Sequence, residues 1–86
     1  MTMYRLVYSK QSLLDIKRIP KGTAEKIQNK VILYATENGL RHVAKIKGAK
    51  FPLYRFKTGK YRVLFELKDK TIYILTVFHR QKGYKI

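Results

Sequence analysis

Twenty lysines and arginines against five aspartates and glutamates give this 86-residue chain a formal net charge of +15, in a length that fits one domain over residues 1–86. Hydrophobic residues are 45% and aromatics 13%, too many for a disordered basic tail. The lack of cysteine excludes disulfides, thiolate nucleophiles and cysteine-held metal, and fits the reducing cytoplasm expected as its location. No stretch approaches the roughly 18 apolar residues of a membrane span.

Tyr4-Arg5-Leu6-Val7-Tyr8 is β-branched and aromatic and reads as a first strand rather than a secretory leader. Ser9 is a candidate cap for a short helix carrying Leu13, Leu14 and Ile16, ending near Pro20. Thr23 is the expected cap of a second helix reaching about Glu37, with Ala24, Ile27, Val31 and Tyr34 on its apolar side and Asn38-Gly39 as its stop. After a basic connector ending at Gly48 the period becomes two. Leu53 to Lys57, Lys60 to Leu67 and Thr71 to Phe78 then read as three strands of an antiparallel meander, turning at Thr58-Gly59 and Lys68-Asp69-Lys70. The first strand needs partners and must join them. The expected architecture is α+β: a four-stranded sheet with two helices on one face.

The charge is uneven. Residues 38–65 contain no acid but eight cations: Arg41, Lys45, Lys47, Lys50, Arg55, Lys57, Lys60 and Arg62. Period-two alternation puts Arg55 and Lys57 on one side of their strand and Arg62, Leu64 and Glu66 on one side of the next, while Tyr54, Phe56, Val63 and Phe65 point the other way. A tight hairpin brings Arg55, Lys57 and Arg62 together, and like charges so placed repel unless a polyanion sits on them. Nucleic acid is the leading candidate, because lysine and arginine neutralise phosphates largely regardless of sequence. A membrane surface fits less well, since the cations lie on strands and connector rather than along a helix.

Five acids without a paired-carboxylate motif argue against a two-metal nuclease site, and neither metal nor cofactor is expected. Metal-free cleavage of RNA uses the 2′-hydroxyl as nucleophile and requires a proton acceptor, cations on the phosphorane and stabilisation of the leaving 5′-oxygen. His79, Arg80, Lys82 and Tyr84 stand at the chain end for such work. His42 reads as a surface or capping residue, and Glu66 as a neutralising neighbour for lysines.

The ordered series Ile46-Lys47-Gly48, Leu53-Tyr54-Arg55-Phe56-Lys57, Gly59-Lys60-Tyr61-Arg62-Val63-Leu64-Phe65-Glu66 and Val77-Phe78-His79-Arg80 with Tyr84 resembles the RelE/ParE toxin superfamily of toxin–antitoxin modules over nearly the full chain. The resemblance implies a toxin of a type II system. RelE-like members are small ribonucleases that cut messenger RNA in the ribosomal A site and so inhibit translation; ParE-like members share the fold and poison DNA gyrase. The cations at Arg55, Lys57, Arg62 and Arg80 and the tyrosine at Tyr84 match the RelE pattern, except that Arg55 stands where that pattern has lysine. Arginine is a poor base near neutral pH, which leaves Arg55 as a phosphate clamp and Lys57, His79 or Tyr84 as the proton acceptor, with His79 slightly favoured. Arg62 is then assigned to the phosphorane, Arg80 to the leaving oxygen, and Tyr84 to orienting the 2′-hydroxyl or stacking on a base. Lys45, Lys47, Lys50, Lys60 and Lys82 are assigned to gripping RNA or the ribosome, and an acidic cognate antitoxin is the implied partner. A gyrase-directed toxin and a non-catalytic basic RNA-binding module stand as the alternatives.

Overall fold

The computed structural model describes residues 3–35, 43–48 and 52–81. Arg5–Tyr8 forms β1, and two helices follow at once, α1 (Lys10–Arg18) and α2 (Lys21–Tyr34). Strands β2 (Ala44–Lys45), β3 (Leu53–Thr58), β4 (Tyr61–Lys68) and β5 (Thr71–His79) complete the order. They make one five-stranded sheet, β1-β5-β4-β3-β2. The expected meander is β3-β4-β5, and β1 joins beside β5 as a parallel strand, with Arg5 aligned to Thr71 and Tyr8 to Ile74. Five strands rather than four is a correction. The extra one, β2, is only two residues long and pairs Ala44 with Arg55 and Lys45 with Tyr54, too short to leave a periodic trace.

Local chemistry explains the helix starts. The Ser9 hydroxyl accepts from the Ser12 N–H at 3.0 Å, as an N-cap should. The second helix starts earlier than Thr23. Pro20, with φ −52° and ψ 138°, occupies the cap position without a side-chain cap bond, and its carbonyl accepts from the Ala24 N–H at 2.8 Å, so Thr23 lies inside the first turn. Ala35 closes α2 at its other end, donating to Val31 and Ile32 carbonyls; Glu37 and the proposed stop at Asn38-Gly39 lie outside the described residues.

The hairpin loops are each two residues. Thr58 pairs with Tyr61 across Gly59-Lys60, one position later than the expected Thr58-Gly59 turn, and Gly59 has φ +60°, the backbone a first-position glycine supplies in a tight hairpin. Lys68 pairs with Thr71, leaving Asp69 and Lys70 as the loop with φ of 50° and 58°. Two consecutive left-handed residues are the type I′ pattern, which matches the twist of the flanking strands.

One face of the sheet and α2 form the core. Ile27, Val31 and Ala35 pack with Phe56, Val63, Phe65, Ile72, Ile74 and Val77, all essentially buried, and Ile16 and Ile19 at α1 add to the margin. Burying a side chain of this size stabilises by about 1.5–3 kcal/mol. Phe65 sits at the centre with its ring 5.6 Å from both Tyr54 and Phe56.

The β4–β5 pairing carries one irregularity. Leu64 is opposite Thr76 and Phe65 is opposite Ile74, so Leu75 is an extra residue in β5. A bulge disrupts the ladder and leaves backbone groups to be satisfied elsewhere. Helix α1 supplies the partners. The Ser9 hydroxyl donates to the Leu75 carbonyl at 2.8 Å, and the Asp15 carboxylate accepts from the Val77 N–H at 2.9 Å and the Thr76 hydroxyl at 2.6 Å. The cap and the single acid of α1 thus clasp the bulge from both sides and fix where the end of β5 lies.

Candidate functional site

Directly opposed residues in a sheet share a face, and alternate residues along a strand do too. Lys57 is opposite Arg62, and Arg55 is opposite Leu64. The three cations therefore lie on one face, the one turned away from α2, because Phe56, Val63 and Phe65 are committed to the α2 side. The Cβ atoms of a directly opposed pair stand about 4.5–5.5 Å apart, and Arg55 is one pleat away from Lys57, about 7 Å along the strand. Arg55 and Lys57 are exposed and Arg62 is half-buried.

Arg62 is held locally. One terminal nitrogen of its guanidinium donates to the Tyr61 carbonyl at 3.1 Å and the Gly59 carbonyl at 3.4 Å. These are neutral acceptors, so they position the positive charge of Arg62 without cancelling it. A lysine directly opposite an arginine is unfavourable for the sheet alone. An anion bridging them removes that penalty.

Leu53 and Leu64 share this face and are buried, at 2% and 1% exposure, so the face is not wholly open. Arg55 and Arg62 adjoin Leu64 in the pairing, across from it and along its strand, with Lys57 diagonal to it. Glu66 lies between Leu53 and Tyr73 in the pairing, on the far side of Leu64 from Arg62. Phe78, directly opposite Arg62, is the aromatic neighbour that the sequence reading passed over; simple alternation from His79 places it there.

His79 goes the other way. It pairs with Tyr61, and the two rings meet edge-on with centroids 5.2 Å apart at 81°. Both line a cavity against α2, on the side of the sheet opposite Arg55, Lys57 and Arg62. Arg80 follows at the turn, two positions past Phe78, and its N–H donates to the Lys60 carbonyl at 2.8 Å. That bond ties the end of β5 to the β3–β4 turn from which Arg62 is held. Among the flanking lysines, Lys45 and Lys47 are exposed beside β2, and Lys60 is exposed at the β3–β4 turn. Lys50, Lys82, Tyr84 and His42 lie outside the described residues.

Burial pushes the Tyr8 hydroxyl above the ordinary tyrosine range; the residue sits on β1, away from the cation cluster. Among the described residues no cluster of His, Cys, Asp or Glu has the makings of a metal site, and no helix is long and apolar enough to cross a membrane.

Comparison with solved structures finds this architecture repeatedly. The toxin–antitoxin complex RelBE2 from Mycobacterium tuberculosis matches with a TM-score of 0.81 and 21% identity over 93% of this chain and 94% of that one. The archaeal RelE–RelB complex from Pyrococcus horikoshii matches at 0.74 with 28% identity, covering 95% of this chain and all of its counterpart. The RelB–RelE complex from Methanococcus jannaschii gives 0.71 and 26% identity over 88% and 92% of the two chains. Direct comparison with curated proteins gives no match. A sequence profile described as the ParE toxin of type II toxin–antitoxin systems matches residues 4–84, which takes in every strand and helix above along with the cation cluster. The chain belongs to that toxin family, within the wider RelE/ParE group whose fold it shares.

Proposed function

We propose that this toxin is a ribosome-dependent messenger RNA endonuclease. The observation that carries the reading is the placement of Lys57 directly opposite Arg62, with Arg55 one pleat away, on the sheet face turned away from α2. In this reading the 2′-oxygen attacks the adjacent phosphorus, its proton passes to the neutral amine form of Lys57, and the bond to the 5′-oxygen breaks as that oxygen takes a proton from water. The products are a 2′,3′-cyclic phosphate and a 5′-hydroxyl. Arg62 stabilises the charge that grows on the phosphorane, Arg55 clamps the phosphate, and Arg80 stabilises the leaving oxygen. Tyr84 orients the 2′-hydroxyl or stacks on a base. The acceptor role falls to Lys57 in preference to His79 because His79 pairs with Tyr61 on the far side of the sheet.

Lys45, Lys47, Lys50, Lys60 and Lys82 add phosphate contacts to messenger or ribosomal RNA, whose contribution is salt-dependent. An acidic antitoxin is the proposed cellular partner. The net charge of +15 and the exposed Leu13, Leu14, Ile32 and Leu33 of the two helices supply both halves of what such a partner needs, charge complementarity and apolar contact.

Primer extension on a reporter message tests the reading. Breaks inside codons are expected with wild type and are expected to vanish with Arg62→Ala and with Tyr84→Phe; translation arrest that persists in both variants without breaks contradicts it. The ParE description of the matching profile favours a second reading, poisoning of DNA gyrase. Supercoiling by purified gyrase separates the two, since the endonuclease leaves it unaffected.

A further inference from the structure

On the α2 side of the sheet, away from the cation cluster, a cavity of about 750 Å³ opens between α2 and the β3–β4 turn. Its size falls within the range of small-ligand sites, roughly 300–1,000 Å³. Ile27 and Leu33 give it an apolar wall, and the Tyr61 and His79 rings, fixed edge-to-face at 5.2 Å, form an aromatic corner. Lys26 and Lys30, one helical turn apart on α2, face the same opening as Lys60 on the β3–β4 turn. Thr58 and Asn29 add hydrogen-bonding groups at the rim.

A flat, partly apolar body with a negative group at its edge fits that lining. Aromatic rings stack on bases of any identity, and lysines meet phosphate as mobile point charges. Three lysines and an imidazole around one apolar corner suit a nucleotide, whose base and phosphate call on both kinds of lining at once.

We propose that this cavity binds one nucleotide of single-stranded RNA, the base against Tyr61 and His79 and the phosphate between Lys26, Lys30 and Lys60. The β3–β4 turn is shared by the two sites: Gly59 anchors Arg62 on one face and Gly59 and Lys60 line the cavity on the other. An RNA strand that wraps the hairpin tip therefore reaches both, and the cavity holds a nucleotide flanking the one at the cation cluster. That last step rests on the endonuclease reading; nucleotide binding in the cavity does not.

The test separates them. The purified chain is titrated with adenosine 5′-monophosphate while the His79 ring protons are followed by NMR, with assignment fixed by a His42→Gln variant. Saturable His79 shifts are expected, weakened at least about tenfold in the double variant Lys26→Glu/Lys30→Glu and retained in Arg55→Ala/Arg62→Ala. Inorganic phosphate alone is expected to leave the rings unmoved. No His79 shift at millimolar nucleotide, equal shifts with phosphate, or undiminished binding in the lysine variant overturns the proposal. So does displacement of the His79 signal by an acidic peptide under conditions where the nucleotide leaves it in place. Because the titration needs neither ribosome nor scissile RNA, a wild-type chain that shows these shifts but fails to cut messenger RNA on ribosomes counts against the endonuclease and not against the cavity.

Discussion

Replacing Asp15 by alanine removes the acceptor that α1 offers to β5. In the folded chain its carboxylate takes the Val77 N–H, the Thr76 hydroxyl and the Gln11 side-chain amide, at 2.9, 2.6 and 2.8 Å. Thr76 and Val77 are buried, at 7% and 4% exposure, so water does not freely replace the lost partner. The Gln11 contact is exposed and contributes little. An orphaned buried donor costs about 1–3 kcal/mol and bonds to a charged group are at the upper end; the Val77 amide cannot turn away, whereas the Thr76 hydroxyl can. Together these give a loss of about 3–4 kcal/mol. A domain of this size has roughly 4–13 kcal/mol in all, so the variant is expected near the edge of folding. With a urea slope of about 1 kcal/mol/M, the unfolding midpoint falls by about 3 M. Asp15→Asn keeps an acceptor oxygen and loses about half as much. Thr76→Val then distinguishes the clasp from a general helix effect, since its cost should shrink in the Asp15→Ala background. A loss below about 1 kcal/mol for Asp15→Ala, with full additivity to Thr76→Val, refutes the reasoning.

Lys70→Gly relieves the second left-handed residue of the β4–β5 turn and is expected to stabilise by about 1 kcal/mol in urea unfolding; a destabilised variant contradicts the turn assignment. Burial holds the Tyr8 proton more tightly in the folded chain than in the unfolded one. Stability is therefore intact below the ordinary tyrosine value of about 10 and falls as pH rises through the higher folded value. Tyr8→Phe should lose that additional alkaline decline, read as the wild-type minus variant difference in urea midpoints; an unchanged difference between pH 8 and pH 11 (approximate end points for an ordinary tyrosine) counts against it. His79→Ala is expected to leave the shape of the pH–rate profile for RNA cleavage unchanged, because His79 faces away from the cation cluster. An ascending limb near the ordinary histidine value of about 6.5 that disappears in this variant returns the proton to His79.

Much of this molecule is written locally. Ser9 announces α1 because a hydroxyl just before an apolar-periodic run has one good use, β3 and β4 show in their period-two alternation, and β5 in a β-branched and aromatic run after a turn. The same alternation put Arg55, Lys57 and Arg62 on one face, and the observed pairing of Lys57 with Arg62 places them there. What pattern could not show depends on partners distant in sequence. Strand β2 exists only through its pairing with Tyr54 and Arg55. The parallel docking of β1 against β5 is a choice between two edges that neither strand encodes alone. Leu75 looks like any other strand residue until the β4 register leaves it unmatched, and Asp15, which looked like one scattered acid among five, holds that irregularity from α1. Thr23 misled because a threonine near a Pro-Gly pair is a reasonable cap, yet the Pro20 carbonyl already accepts the first bond of the helix, from the Ala24 N–H. The direction of His79 was legible, since it alternates with Phe78; its cavity was not, because α2 provides the opposite wall.

Single-turnover cleavage of messenger RNA on programmed ribosomes, measured for Arg55→Ala, Arg62→Ala and the double variant, bears most directly on whether these side chains act on one phosphate. Each single change should slow cleavage, Arg62→Ala by about 10²–10³-fold, and the double variant should be far less impaired than the product of the two, as expected for groups that work as a unit. Multiplicative losses, or cleavage within about tenfold of wild type when Arg62 is gone, would show that the cluster does not hold the reacting phosphate.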